Sequence, residues 1–181
     1  MQRWIVFLRA VNVAGQGKLP MAAFRAALTQ AGFADVQTYI QTGNALVSSP
    51  LGRGEVEAKV EAILRESFDL ERPANAVTLD ELEAALRHNP YPQAIETPQR
   101  LHLVFLRGEI SFDAEAFAAL CDKGEEFALI DQVFYLYTPN GTARSKPAAR
   151  YETYVRAEMV TARNLNSCRK IAALARGASP V

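Results

Sequence analysis

The chain has 181 residues, 49% of them apolar, with 20 basic against 20 acidic side chains. That length and apolar share suit a folded body with a sizeable core, built as one domain or as two small ones, and exclude a disordered chain, a collagen-like repeat or a disulfide scaffold. No stretch approaches the roughly 20 apolar residues of a membrane span. The opening MQRWIVFLRAVN turns polar too soon for a signal peptide. Cys121 and Cys168 form no CxxC or Cys/His cluster, so the expectation is a cytoplasmic protein without a metal site. The neutral total hides an asymmetry. Residues 141–181 carry eight basic and two acidic side chains, a balance of +6 that offsets −6 over the first 140.

In chain order, Trp4 to Leu8 reads as a strand apolar on both faces, followed by the loop VNVAGQGKL. Met21, Phe24, Leu28 and Ala31 then recur at helical spacing, with Pro20 at the start and Gly32 at the stop. Val36 to Ile40 and Ala45 to Ser49 predict a hairpin around Gln41-Thr42-Gly43-Asn44. A second helix presents Val56, Val60, Ile63 and Leu64, a strand returns at Ala74 to Val77, and Thr78 with Glu81 predicts a capping box for a third helix. The order β-α-β-β-α-β-α is the split βαβ, or ferredoxin-like, unit plus one helix.

The segment NPYPQAIETPQR, residues 89–100, holds three prolines and no periodicity, and is the expected linker. The pattern then restarts. Leu101 to Leu106 reads as a strand, and Phe105-Leu106-Arg107 repeats Phe7-Leu8-Arg9 at an offset of 98. Asp113 opens a helix with Phe117, Leu120 and Cys121 inward, and Phe127 to Ile130 with Val133 to Tyr137 predicts a hairpin. Ser145 caps a helix bearing Tyr151, Val155 and Met159 on one face, Val160 to Arg163 extends, and Asn166 or Ser167 caps the last helix. The expectation is an α+β chain of two tandem ferredoxin-like subdomains, 1–88 and 101–176, packed into one compact body, with a disordered tail at 177–181. Because the first strand of each half is apolar on both faces, both faces of each sheet are expected to be covered, by the partner half or by an oligomer.

The loop Ala14-Gly15-Gln16-Gly17-Lys18-Leu19-Pro20 joins a strand to a helix start, where free N–H groups and the helix dipole favour an anion. It is neither a dinucleotide fingerprint nor a P-loop: Pro20 stands where a third glycine belongs, and Leu19 follows the lysine in place of Ser or Thr. Arg144 and Lys146 flank one later helix start, and Arg163, Asn164, Asn166, Arg169 and Lys170 surround another. Cations there oppose the dipole, and a bound anion would resolve the conflict. His88 reads as a linker cap and His102 as a structural strand histidine. Ser167-Cys168 has no base to activate it. The strands lack the basic and aromatic pattern of an RNA-reading sheet.

The segments LRAVNVAGQGKLPM, DVQTYIQTGNALVSS, NPYP, GTARSKP and TARNLNSCRKI, in that order and spacing, resemble the bacterial domain-of-unknown-function family 1697. The resemblance implies a small cytoplasmic protein of two ferredoxin-like subdomains, with no established activity. It places recurrent positions at Arg9, Asn12, Gly15, Pro20, Tyr39, Gln41, Gly43, Asn44, Ser145, Lys146, Thr161, Arg163, Asn164 and Asn166. The chain departs from it at Ala10, Leu165 and Ser167-Cys168. The functional expectation is a protein that holds an anionic, phosphate-bearing small molecule, a nucleotide or a sugar phosphate, between the subdomains. Arg9, Lys18, Lys146 and Arg163 would supply charge, Gly15 and Gly17 close backbone approach, and Asn12, Gln41, Asn44, Asn164 and Asn166 hydrogen bonds. The alternative is nucleic-acid or protein-partner binding through the basic C-terminal region, which would weaken steeply with salt. No reaction, catalytic residue or cofactor is implied, and the chain is expected to be a monomer or a small homo-oligomer.

Overall fold

The computed structural model describes residues 1–13 and 15–177. The chain is a mixed α+β fold with antiparallel sheets and, among the described residues, six α-helices. None of those helices is long and apolar enough to cross a membrane. The chain divides into two units. Unit 1 takes Met1–Leu82 and the chain from Ile171 onward, and unit 2 takes Glu83–Lys170.

Unit 1 runs β1 (Gln2–Leu8), α1 (Met21–Gln30), β2 (Ala34–Tyr39), β3 (Asn44–Ser49), α2 (Arg53–Phe68) and β4 (Ala74–Thr78), with α3 (Leu79–Arg87) starting at its end. The sheet order is β2-β3-β1-β4, antiparallel throughout. Strand alternation sorts the side chains into two sets. Trp4, Val6, Leu8, Ala45, Val47, Ala74 and Ala76 join Phe24 and Leu28 of α1 and Val56, Val60 and Leu64 of α2 in one core. Ile5, Phe7 and Leu46 point to the opposite face and are also fully buried, so both faces of this sheet are covered, as the two-sided apolar pattern predicts. The Thr78–Glu81 box forms at the start of α3, with the Glu81 N–H donating to Thr78 Oγ1 (3.2 Å) and the Thr78 N–H donating to Glu81 Oε2 (2.8 Å).

Unit 2 carries β5 (Leu101–Arg107), β6 (Ser111–Phe112), α4 (Ala114–Ala118), β7 (Glu126–Ile130), β8 (Val133–Tyr137), α5 (Lys146–Tyr154), β9 (Val155–Arg156) and β10 (Met159–Asn164), from which α6 (Leu165–Ala175) continues. Its main sheet is ordered β10-β5-β8-β7. Numbered within each unit, both sheets follow the same order, second, third, first, fourth. An aromatic cluster of Phe112, Phe117, Phe127 and Phe134, with ring centroids 4.9 to 6.1 Å apart, fills the core under α4 and α5. Residues 89–100, expected as a linker, hold two 3-10 turns, Pro92–Ile95 and Pro98–Arg100, and fall within unit 2. There Tyr91 stacks on Tyr137 at 6.1 Å and Ala94 is fully buried.

Three local expectations need correction. The fifth helix does not run to Met159: it ends at Tyr154, whose carbonyl accepts from the Asp113 N–H, and Val155 enters a two-stranded ladder with Phe112 that periodicity alone could not separate from helix. The fourth helix closes at Ala118 after little more than one turn, so Cys121 lies beyond it. The last helix is capped by Asn164, whose Oδ1 accepts from the Ser167 N–H at 2.8 Å, and not by Asn166 or Ser167. Of the tail expected at 177–181, residues 178–181 lie outside the described residues, as does Ala14.

Candidate functional site

In unit 1 the antiparallel registers pair Phe7 with Asn44 and Asn75, and Leu8 with Ala74. The end of β1 therefore lies beside the starts of β3 and β4, and the β1–α1 loop and the β2–β3 turn meet there. Of the fourteen described residues with positive φ, six fall in 10–17 and 40–43: Ala10, Asn12, Gly15, Gly17, Ile40 and Gly43. Ile40, β-branched and at φ 50°, is in a conformation such residues adopt only when the surroundings impose it.

Asn12 imposes much of this frame. Its Nδ2 donates to the carbonyls of Leu19 and Gln41, each at 2.8 Å, and its Oδ1 accepts from the Leu19 N–H at 2.8 Å. One amide thus closes the loop on itself and fastens it to the β2–β3 turn. The Asn12 N–H donates to Gly17 O, and Arg72 Nε donates to Ala10 O at 3.3 Å. A methyl group at Gly17 would run into the Ala10 carbonyl, and one at Gly43 would run into the Val11 and Leu8 side chains. Asn44, fully buried, spends its Nδ2 on Tyr39 O (3.0 Å) and Thr42 Oγ1 (3.1 Å). Asn12 and Asn44 thus serve the backbone with the very groups the sequence assigned to a ligand. Lys18 and Gln41 are exposed, Gly15 is exposed in open space, and Arg9 is half-buried where β1 ends.

Helix starts separate this loop from the rest of the molecule. Glu55 reaches back to the Gly52 N–H at α2, and Thr78, Asp113, Ser145 and Asn164 accept from first-turn N–H groups at α3, α4, α5 and α6. Among the described residues no side chain accepts from a first-turn N–H of α1 or of α2; at α1, Pro20 precedes the helix and the first turn holds no acid. Ala22 and Ala23 of that turn are exposed, and Lys18 stands two residues before Pro20.

In unit 2 the remaining candidates separate. Arg163 is buried on the sheet face it shares with Leu103 and Tyr135, across which β10, β5 and β8 are in register. It donates from Nη1 to Thr161 Oγ1 (2.9 Å) and Ala162 O (2.8 Å), and burial pushes its pKa down to about 10. Lys146 opens α5, which packs on the opposite face with Val104 and Phe134. Lys146 hydrogen-bonds Asp122, which raises the ammonium pKa and lowers that of the carboxyl. The unit does not gather Lys146 and Arg163 at one point. Asn164 is occupied as the α6 cap, and Asn166 is exposed in the first turn of that helix. Of the other C-terminal cations, Arg150 lies 5.8 Å from the Tyr154 ring centroid, and Arg156 and Arg169 donate to carbonyls. His102 sits in β5 opposite Asn164, and burial lowers its pKa, favouring the neutral ring. Cys168 is fully buried and its thiol is pushed up to about 12 by burial, the opposite of an activated nucleophile.

Sequence reasoning passed over Asn75. It is 3% exposed, and its Nδ2 meets no acceptor among the described residues. The signal was an amide at an inward position of the apolar run Ala74-Asn75-Ala76-Val77.

A family model described as "Protein of unknown function (DUF1697)" matches residues 1–135. No curated protein matches the chain. Among solved structures, a conserved bacterial protein from Streptococcus pneumoniae, SP0830, is similar over 97% of this chain and 99% of its own, with a TM-score of 0.75 at 20% identity. That likeness concerns the fold.

Proposed function

The chain belongs to the DUF1697 family of proteins of unknown function, and from the geometry of its first loop we propose that it binds an anionic, phosphate-bearing small molecule at the β1–α1 loop of unit 1. The observation that carries this reading is the start of α1, which has no side-chain cap and no acid in its first turn and is approached by a loop that exposes Lys18 and Gly15. Unmet N–H groups of a first helical turn and the positive end of its dipole suit an oxyanion. A nearby ammonium adds a charge-assisted contact. The Asn12 clamp supports the same reading, since it fixes the loop before a ligand arrives and so lowers the ordering cost of binding.

We also infer that the two units are copies of one ferredoxin-like βαββαβ unit. The identical strand order supports duplication, as does a shared hydrogen bond: the Leu8 N–H donates to Gly43 O at 2.8 Å, and the Leu106 N–H, 98 positions on, donates to Gln132 O at 2.9 Å. In each case the acceptor precedes the third strand of its four-stranded sheet by a residue.

The binding test is thermal unfolding with a concentration series of inorganic pyrophosphate, for the native chain and for Lys18→Ala. At ten times the Kd, linkage predicts stabilisation of about 1.4 kcal/mol, a rise of roughly 3 to 6 °C for a chain of this size. Lys18→Ala should remove most of that rise and Lys170→Ala should not. A native chain that pyrophosphate leaves unmoved, or a Lys18→Ala variant that responds in full, overturns the reading.

A further inference from the structure

We infer that the outer edge of β7 in unit 2 is a docking edge, at which an extended segment of a partner protein, basic at both ends and apolar between, adds as a further strand of the sheet.

In an antiparallel sheet, alternate residues of a strand send their main-chain groups to one neighbour and the rest send theirs to the other side. The Leu106 N–H donates to Gln132 O. In the register of β5 with β8 it is therefore Phe134 and Leu136 that bond β5, which leaves Val133, Tyr135 and Tyr137 to bond β7. Their partners in β7 are Ile130, Ala128 and Glu126. The N–H and C=O groups of Phe127 and Leu129 thus point to the outer edge, and among the described residues nothing bonds them.

The other edges of the two four-stranded sheets are guarded. By the same parity β4 turns the N–H groups of Ala74, Ala76 and Thr78 outward, and Glu61, Glu57 and Glu81 accept from them at 2.8 to 2.9 Å. β10 turns Ala162 outward, and Arg163 Nη1 donates to its carbonyl. β2 is interrupted by a bulge between Ala34 and Gln37. An open edge invites pairing, and folded proteins close the edges they do not use. β7 is regular over Glu126–Ile130 and has neither a bulge nor a side chain on its outward groups.

The flanks select the partner. Phe127, Ala128, Leu129 and Ile130 are apolar and half-buried. Glu126 is exposed at one end, with Gln93 donating to it, and the Asp131 side chain is 80% exposed at the other, 3.8 Å from His88 Nδ1. The two carboxylates are separated by roughly 17 Å of strand. An added strand gains main-chain hydrogen bonds along the edge and ion pairs from basic side chains at that spacing. A second copy of the chain fits worse: the antiparallel register that uses every outward group pairs Phe127 with Leu129 of the copy and sets Asp131 against its Glu125, acid on acid at both ends.

The experiment titrates the native chain with the peptide Lys-Val-Thr-Val-Thr-Lys, and with the same peptide ended by glutamates, followed by 1H–15N spectra and amide hydrogen exchange. In the free chain the Phe127 and Leu129 amides should exchange clearly faster than those of Ala128 and Ile130. The lysine peptide should shift and protect these two amides, and the glutamate peptide should not. Glu126→Lys should keep its Tm and bind the lysine peptide about fivefold more weakly at low salt. Protection of both amides in the free chain, a lysine peptide that leaves them in place, equal binding of the two peptides, or a Glu126→Lys variant that binds as well as the native chain overturns the inference. So does protection that grows with protein concentration alone, which would assign the edge to a second copy.

Discussion

Replacing Asn12 by alanine should cost about 3 to 4 kcal/mol of stability. Three hydrogen bonds of 2.8 Å disappear, leaving the Leu19 N–H and the carbonyls of Leu19 and Gln41 without that partner. A neutral hydrogen bond contributes roughly 1 kcal/mol net. The Gln41 end is exposed and water can replace it, so the bonds together account for about 2 kcal/mol. Asn12 also sits at φ 52°, and alanine there adds roughly 1 to 2 kcal/mol of left-handed strain that asparagine tolerates. Asn12→Gly separates the two causes: it loses the same bonds without the strain, and should be about 1 kcal/mol more stable than Asn12→Ala. Urea unfolding of the native chain and both variants, monitored by the single Trp4, measures both differences. If Asn12→Ala shifts stability by less than about 0.5 kcal/mol, the clamp does not hold the loop, and equal values for Ala and Gly would refute the strain argument.

The glycines of the same loop should respond unequally. Gly17→Ala meets the Ala10 carbonyl as well as left-handed strain and should destabilise clearly more than Gly15→Ala, which meets strain alone; equal losses of Tm would contradict this. In the native protein at pH 8, Cys168 should resist a thiol reagent that labels it fully in denaturant, since the thiol is fully buried and shifted up to about 12; rapid native labelling at this position would refute the burial. Glu81 is subject to burial, which alone would raise its pKa, but hydrogen bonds from Arg53 and Thr78 outweigh it and the net shift is downward. A depressed carboxylate pKa contributes stability above the ordinary Glu value that is lost as pH falls through the folded value. The stability gap between the native chain and Glu81→Gln should therefore be largest near neutrality and narrow below about pH 4. A gap independent of pH would assign the cap to the uncharged side chain.

How much of this could be read from residues varied with how local the cause was. Caps at Thr78, Asp113 and Ser145, the stop at Gly32 and the hairpin at Asp131-Gln132 follow from spacing of a few positions, and they stand where spacing put them. The Val155–Phe112 ladder joins segments more than 40 positions apart, and nothing near Val155 signals its partner. The loop of Gly15 to Lys18 was legible as a strand-to-helix connection, but the task of Asn12 was not. An asparagine before a glycine-rich loop reads equally as a ligand donor and as a turn former, and only the positions of Leu19 and Gln41 decide. Arg163 and Lys146 share a charge sign and a helix-flanking position, and only strand parity reveals that they belong to opposite faces of one sheet. Asn75 is the reverse case. A short amide within an apolar strand carries little pattern, and its unpaired Nδ2 becomes visible only when every neighbour is in place.

The most direct test of anion binding at the first loop is a 1H–15N titration of the native chain with pyrophosphate. Amide resonances of Gly15, Gly17, Lys18 and the first turn of α1 should shift together and saturate with one Kd, while those at the capped starts of α5 and α6 stay in place. Shifts confined to α5 and α6, or none at the loop when pyrophosphate is in large excess, would contradict it.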